Sequence, residues 1–275
     1  MYGVVTRNEE ELSWSEFDRG FYEVKDVTGR AAEPVPDAVN MISCFGDNAA
    51  EGDEELLPVD DQGNQATRDR PYFDWSYVCP THDRYREGLL ELVSDAAEVN
   101  EDLRLDDIGF PRDEYCHCDR CERRFADSEY DEWSEWRDGV ITDFVAEARE
   151  RVPGDLYLTL YPDPYPGHLS RRAGIDIEAI EPYVDEFVVP IYDMAYTTTY
   201  WLEILAQGFS DRLSTPFSVE LYAVDVDVDD LLKATEVAAE YGRSVLFGYD
   251  ASNARATLRR LDADSRDGQS FGPDR

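Results

Sequence analysis

Short apolar runs rich in β-branched and aromatic residues recur along this chain, separated by longer stretches whose apolar positions return every three or four residues. That alternation is the sequence form of βα units around a parallel sheet. Five runs follow one another in this way: Leu103–Ile108, Leu156–Tyr161, Phe187–Tyr192, Phe217–Tyr222 and Val245–Tyr249. The stretches between them read as amphipathic helices, among them Trp136–Arg151 and Val228–Tyr241. The second is entered through acidic residues that suit the positive end of a helix dipole. Upstream, Tyr2–Thr6 and Asn40–Phe45 add two strands, and Arg84–Ala97 adds a helix leading into the Leu103 strand. Seven strands in 275 residues predict one (β/α)8 barrel of TIM type, a fold of about 250 residues. The eighth strand is either hidden in Phe21–Val27 or absent. A first strand at Tyr2 leaves two alternatives, a true start further upstream or a barrel that opens at an atypical edge. The expected organisation is a single barrel domain over residues 1–261, with an acidic, then aromatic insert at 48–77 and a polar, disordered tail at 262–275.

Charge changes the picture. The chain carries 62 acidic against 26 basic side chains, a formal net charge of -36, and Lys25 and Lys233 are its only lysines. A compact state with that charge repels itself, and multimolar salt relieves the repulsion because the Debye length falls to about 3 Å at 1 M. The composition therefore predicts a protein of a salt-rich, halophilic cytoplasm. Disorder is excluded by a 42% hydrophobic and 12% aromatic content arranged in regular runs. Nucleic acid is not an expected partner, because no Lys/Arg-rich stretch is present to meet phosphates. No run approaches the ~20 apolar residues of a membrane span, and MYGVVTRNEEEL lacks the pattern of a signal peptide.

Five cysteines in a reducing compartment point to metal ligands or buried thiols. Cys116, Cys118 and Cys121 stand within six residues, and Cys79 lies upstream in V-C-P. Three ligands from one tight turn cannot close a tetrahedron, so a distant fourth must arrive and pin one loop to another. Cys79 is the expected fourth ligand, with His117 and His82 as substitutes, and Cys44 reads as a small core residue. A deaminase-type catalytic zinc would bring an H-x-E element. None occurs, so the expected zinc is structural.

The set Cys79-Pro80, the helix from Arg84, the strand carrying Asp106-Asp107, C-x-C-x-x-C and Phe125 resembles the family 42 β-galactosidases and related glycoside-hydrolase barrels. The resemblance covers roughly residues 70 to 250. It implies zinc on the four cysteines, a carbohydrate substrate and two catalytic carboxylates. It sets Asp107 in the place of the acid/base, where the family has Asn-Glu and this chain has Asp106-Asp107, and Glu220 in the place of the nucleophile.

Without the family, polar and aromatic groups gather where the runs end: Asp106 and Asp107, Tyr161 and Asp163, Tyr192 and Asp193, Glu220 and Tyr222, Tyr249 and Asp250. In an α/β barrel that end carries the active site, and two carboxylates on one rim suit glycoside hydrolysis. The tyrosines and Trp201 offer stacking faces for sugar rings. Each aspartate also has a plainer reading as a helix cap or turn. Glu220 stands apart as a charge inside an apolar strand. Trp133 and Trp136 suit packing on the barrel, and Tyr72, Phe73, Trp75 and Tyr77 suit either the barrel mouth or a cover for the cysteine loop.

A retaining glycosidase acting on a small saccharide is the leading reading. A barrel that binds a saccharide or a partner without cleaving it is the second. The third is a Mg²⁺ or Mn²⁺ enzyme using Asp106, Asp107, Asp163 and Asp193. Self-association into a homo-oligomer is left open.

Overall fold

The computed structural model describes residues 1–270, with the side chains of all of these but 265 and 267–270. Eight parallel strands close in sequence order into a barrel. They are β1 (Tyr2–Thr6), β2 (Arg19–Lys25), β3 (Val39–Ser43), β4 (Leu103–Asp106), β5 (Leu156–Thr159), β6 (Glu186–Pro190), β7 (Phe217–Tyr222) and β8 (Val245–Gly248). The helices are α1 (Glu9–Leu12), α2 (Asp83–Val99), α3 (Asp119–Ala126), α4 (Trp133–Arg149), α5 (His168–Ala173), α6 (Ile177–Ile180), α7 (Tyr200–Arg212), α8 (Val228–Tyr241) and α9 (Ala251–Ser270).

The strand expected at Tyr2 opens no edge, since β1 pairs with both β2 and β8. The eighth strand is β2, within and just before the stretch where it was sought. Its sequence RGFYEVK breaks the apolar pattern because Glu23 and Lys25 point to partners rather than to solvent. Glu23 pairs with Arg7, and Lys25 Nζ donates to Ser43 O at 2.9 Å and meets Asp47 at 3.2 Å. Several strands stop short of the expected run: β4 ends at Asp106, β5 at Thr159, β6 at Pro190 and β8 at Gly248. Asp107, Tyr161, Tyr192 and Tyr249 thus stand on the first turns beyond the sheet. Where a frayed tail is expected after Leu261, α9 runs on to Ser270, and residues 271–275 lie outside the described residues.

Two apolar layers form. Val5, Phe21, Val39, Met41, Tyr157, Val188 and Leu246 fill the barrel interior, and a larger cluster lies between strands and helices. Residues buried on both faces explain why the strands read as nearly continuous apolar runs. Toward the strand starts the interior is plugged by Arg19, Glu186 and Ser218, with Arg19 Nη2 donating to Ser218 Oγ at 3.2 Å. The 48–77 insert is stitched back to the barrel by a bridge between Gly46 and Tyr77 and by Val78 N–H donating to Phe45 O at 2.8 Å.

Candidate active site and thiol cluster

A cavity of about 600 Å³ opens at the carboxyl ends of the strands. Of the residues expected there, Asp106, Asp107, Tyr161, Tyr192, Tyr222 and Tyr249 line it. Trp75, expected at the mouth or over the cysteine loop, lines it as well, and so do Arg7, Glu23 and Arg104, which were not foreseen. Arg7 and Glu23 lay outside the recognised strands, and Arg104 lay inside one.

Asp107 sits in the left-handed region, φ 48°, which Asp tolerates better than most residues. Its carboxyl is pushed up from the ordinary 3.8 to about 8, first by burial and then by the neighbouring Asp106 carboxylate. The Ser43 hydrogen bond and the Lys25 charge oppose that rise. Ser43 Oγ lies 2.6 Å from Asp107 Oδ2 and 3.0 Å from Gly46 O. A hydroxyl has one proton to give, and a carbonyl can only accept. Ser43 Oγ can therefore donate to only one of these two acceptors at a time. Asp106 Oδ1 accepts the Asp107 N–H at 3.0 Å.

Glu220 is wholly enclosed. Arg104 Nη1 stands 2.6 Å from its Oε2, and the Tyr192 hydroxyl donates to its Oε1. It lies beneath the cavity rather than among the lining residues. Arg104 also donates through Nε to Thr159 Oγ1 at 2.9 Å and stacks over Phe21. On the wall, Glu23 is held by Arg7 and accepts from the Tyr249 hydroxyl at 3.2 Å. Burial raises the Glu23 carboxyl, and the Arg7 hydrogen bond and charge oppose that rise.

Besides Glu220, four expected residues do not line the cavity. Asp163 accepts from Tyr165 N–H and meets His168 Nδ1 at 3.0 Å. Asp193 accepts from Ala195 N–H at 2.9 Å in a turn. Asp250 accepts from Asn253 N–H at 2.9 Å at the head of α9. Trp201 is 63% exposed and packs edge-on against Tyr200. The aspartates serve as the turn and cap acceptors of their plainer reading.

The sulfurs of Cys79, Cys116, Cys118 and Cys121 lie within 4.8 Å of one another. Cys79 Sγ is 3.4 Å from Cys121 Sγ and 3.9 Å from Cys118 Sγ. Four thiolates around one zinc at about 2.3 Å would sit roughly 3.8 Å apart, so the donor set fits that ion. Thr81 Oγ1, 3.2 Å from both Cys79 and Cys121, adds an outer hydroxyl. The histidines are engaged elsewhere. His82 caps α2 by accepting from Tyr85 N–H, and His117 bonds Glu122 at 2.7 Å and stacks on Trp133. Cys44 is buried in the core. Among the described residues no carboxylate group shows metal-ligand spacing.

No family model and no curated protein matches the chain. Solved structures do. The glycoside hydrolase domain of PgaB (BpsB) from Bordetella bronchiseptica is similar over 80% of this chain and 75% of that one, with TM-score 0.62 at 14% identity. An alpha-amylase from Lactobacillus plantarum covers 91% of this chain and 70% of its own at TM-score 0.48 and 10% identity. The Bacillus subtilis mannanase BCman covers 95% and 83% at 0.47 and 10%. The likeness to the PgaB domain is one of fold, a (β/α)8 barrel.

Proposed function

We propose that the chain is a glycoside hydrolase in which Asp107 is the general acid. What supports this is a carboxyl on the cavity wall, beside Ser43 and Asp106, that burial and the Asp106 charge push up to about 8. A carboxylic acid that still holds its proton near pH 7 can deliver it to a leaving glycosidic oxygen. Glu23, on a separate strand and paired with Arg7, is a second carboxyl that faces the same cavity. Two carboxyls on one cavity wall are what the two-carboxylate mechanism uses.

Glu220 takes a different part from the nucleophile that the family resemblance implied. A nucleophile must reach the anomeric carbon, whereas this carboxylate is enclosed by Arg104 and Tyr192. We assign it the positioning of those two cavity residues. The four thiols hold a structural zinc in this reading, which suits a reducing, cytoplasmic compartment.

The test is a panel of nitrophenyl glycosides assayed in high KCl, with and without added Mg²⁺ or Mn²⁺. Metal-independent release of nitrophenol is expected. Binding of panel members without release would favour the non-catalytic saccharide-binding barrel, and release that needs added Mg²⁺ or Mn²⁺ would favour a metal-dependent enzyme.

A further inference from the structure

The backbone around Asp107 is pinned from both sides. β3 and β4 stay paired as far as Ser43 and Asp106, and beyond them Cys44 N–H donates to Asp106 O at 2.8 Å and Phe45 N–H to Asp107 O at 3.0 Å. Ser43 is fixed in turn by Lys25 Nζ, which donates to its carbonyl at 2.9 Å. The Ser43 hydroxyl is buried, 2.6 Å from Asp107 Oδ2 and 3.0 Å from Gly46 O. Turning its O–H from one acceptor to the other moves no heavy atom.

Which acceptor wins depends on what Asp107 carries. A carboxylate is the stronger acceptor, because hydrogen bonds to an ionised group are roughly twice as strong as neutral ones and draw O–H···O⁻ to about 2.5–2.7 Å. A protonated carboxyl loses that advantage to the backbone carbonyl. We infer that Ser43 is a positioning residue for the acid, its hydroxyl turned to the Gly46 carbonyl while Asp107 holds its proton and to the Asp107 carboxylate once that proton has left. The proton that passes to the leaving oxygen as the glycosidic bond breaks is the one on Asp107, and Ser43 keeps its own. The turn stabilises the carboxylate that this step creates. Its bearing on catalysis rests on the glycosidase reading, to which it adds the group that regulates the acid.

The other groups facing Asp107 are Glu23 and Lys25 from β2 and Asp106 from β4, with Cys44 and Tyr77 from the connection between β3 and α2, Tyr85 from α2 and Tyr161 beyond β5. Burial pushes the thiol and the three phenols up, so all four stay neutral through pH 9. The charges of Asp106 and Glu23 favour the protonated acid and that of Lys25 the ionised one. Removing the Ser43 hydroxyl leaves all of these in place.

The experiment compares Ser43→Ala and Ser43→Thr with the unchanged full-length, metal-loaded chain in high KCl, with melting curves to confirm folding. The first readout needs no substrate: the infrared band of the protonated carboxyl, identified by its loss in Asp107→Asn, is followed from pH 5 to 10. Its midpoint should rise by about one pH unit in Ser43→Ala and return in Ser43→Thr, which keeps the hydroxyl. The second readout is kcat/KM. On an alkyl glycoside its alkaline limb should move up with that midpoint, and its value at pH 7 should fall about ten-fold, with a smaller loss on the dinitrophenyl glycoside. Should Ser43→Ala fail to fold, Ser43→Cys takes its place, and its weaker donor should move the midpoint the same way by less. An unmoved midpoint overturns the switch, as does an equal shift in Ser43→Ala and Ser43→Thr, which would mark a packing effect. Cleavage with an unmoved midpoint overturns the switch and leaves the glycosidase reading standing. A hydroxyl-dependent midpoint in a chain that cleaves no glycoside supports the switch and overturns that reading.

Discussion

Arg104 and Glu220 meet inside the barrel at 2.6 Å, with both side chains shut away from solvent. Each charge is compensated chiefly by the other, since burial disfavours the charged form of both. Glu220→Gln should therefore destabilise the fold by about 3–5 kcal/mol, because it leaves an unpaired guanidinium inside the barrel. Arg104→Met combined with Glu220→Leu should recover much of that loss. Chemical denaturation of the three variants checks this. A stable but inactive Glu220→Gln protein would return Glu220 to the nucleophile's role.

Asp107 gives stability a pH dependence of definite sign. Its carboxyl lies at about 8 in the folded chain against an ordinary 3.8. Between those values the folded state holds a proton that the unfolded state has released. Stability should fall as pH rises through that window, by up to about 1.4 kcal/mol per pH unit from this group. Asp107→Asn should flatten the slope, as read from melting temperatures between pH 5 and 9 at fixed salt. An unchanged slope would place the titration elsewhere.

The thiol cluster makes a claim about folding. Purified without chelators, the protein should hold one zinc per chain, and Cys118→Ser should lose both metal and fold, because the binding energy of a structural site is folding energy. Elemental analysis with circular dichroism checks both. A zinc-free, fully folded chain would contradict it.

Salt should act through the net charge of -36. The melting temperature should rise between roughly 0.1 M and 2 M KCl, with most of the early gain coming from screening. Equal melting temperatures would mean that the arginine pairs, such as Arg68–Glu51 and Arg259–Glu16, already neutralise the repulsion.

The barrel was legible in the sequence because strands buried on both faces write their position as apolar runs. β2 stood in the sequence only as one of two alternatives, a strand hidden in Phe21–Val27, for the opposite reason: its Glu23 and Lys25 spend their charges on Arg7, Ser43 and Asp47 inside the molecule. With β2 obscured, Glu23 and Arg7 could not be placed at the cavity. Spacing alone drew the four thiols together, since a ligand set must be compact whatever the fold. Strand-end aspartates were harder to sort. Asp106 and Asp107 face the cavity, while Asp163, Asp193 and Asp250 accept from nearby backbone N–H groups. Those local bonds form equally well in any loop, and a chain this acidic offers many candidates. Glu220 stood out as a charge in an apolar strand, but its partner Arg104 sits in another strand of the barrel, which only the closed sheet brings opposite.

The central claim is that Asp107 supplies the proton to the leaving group, and its most direct test is the leaving-group dependence of the Asp107→Asn variant. Its kcat/KM should be measured on a dinitrophenyl glycoside, which needs little protonation to depart, and on the alkyl glycoside of the same sugar, which needs full protonation. The expected result is a loss of about 10²–10⁴-fold on the alkyl glycoside with a much smaller loss on the dinitrophenyl one. Equal losses on both substrates, or none on either, would contradict the assignment of Asp107 as the acid.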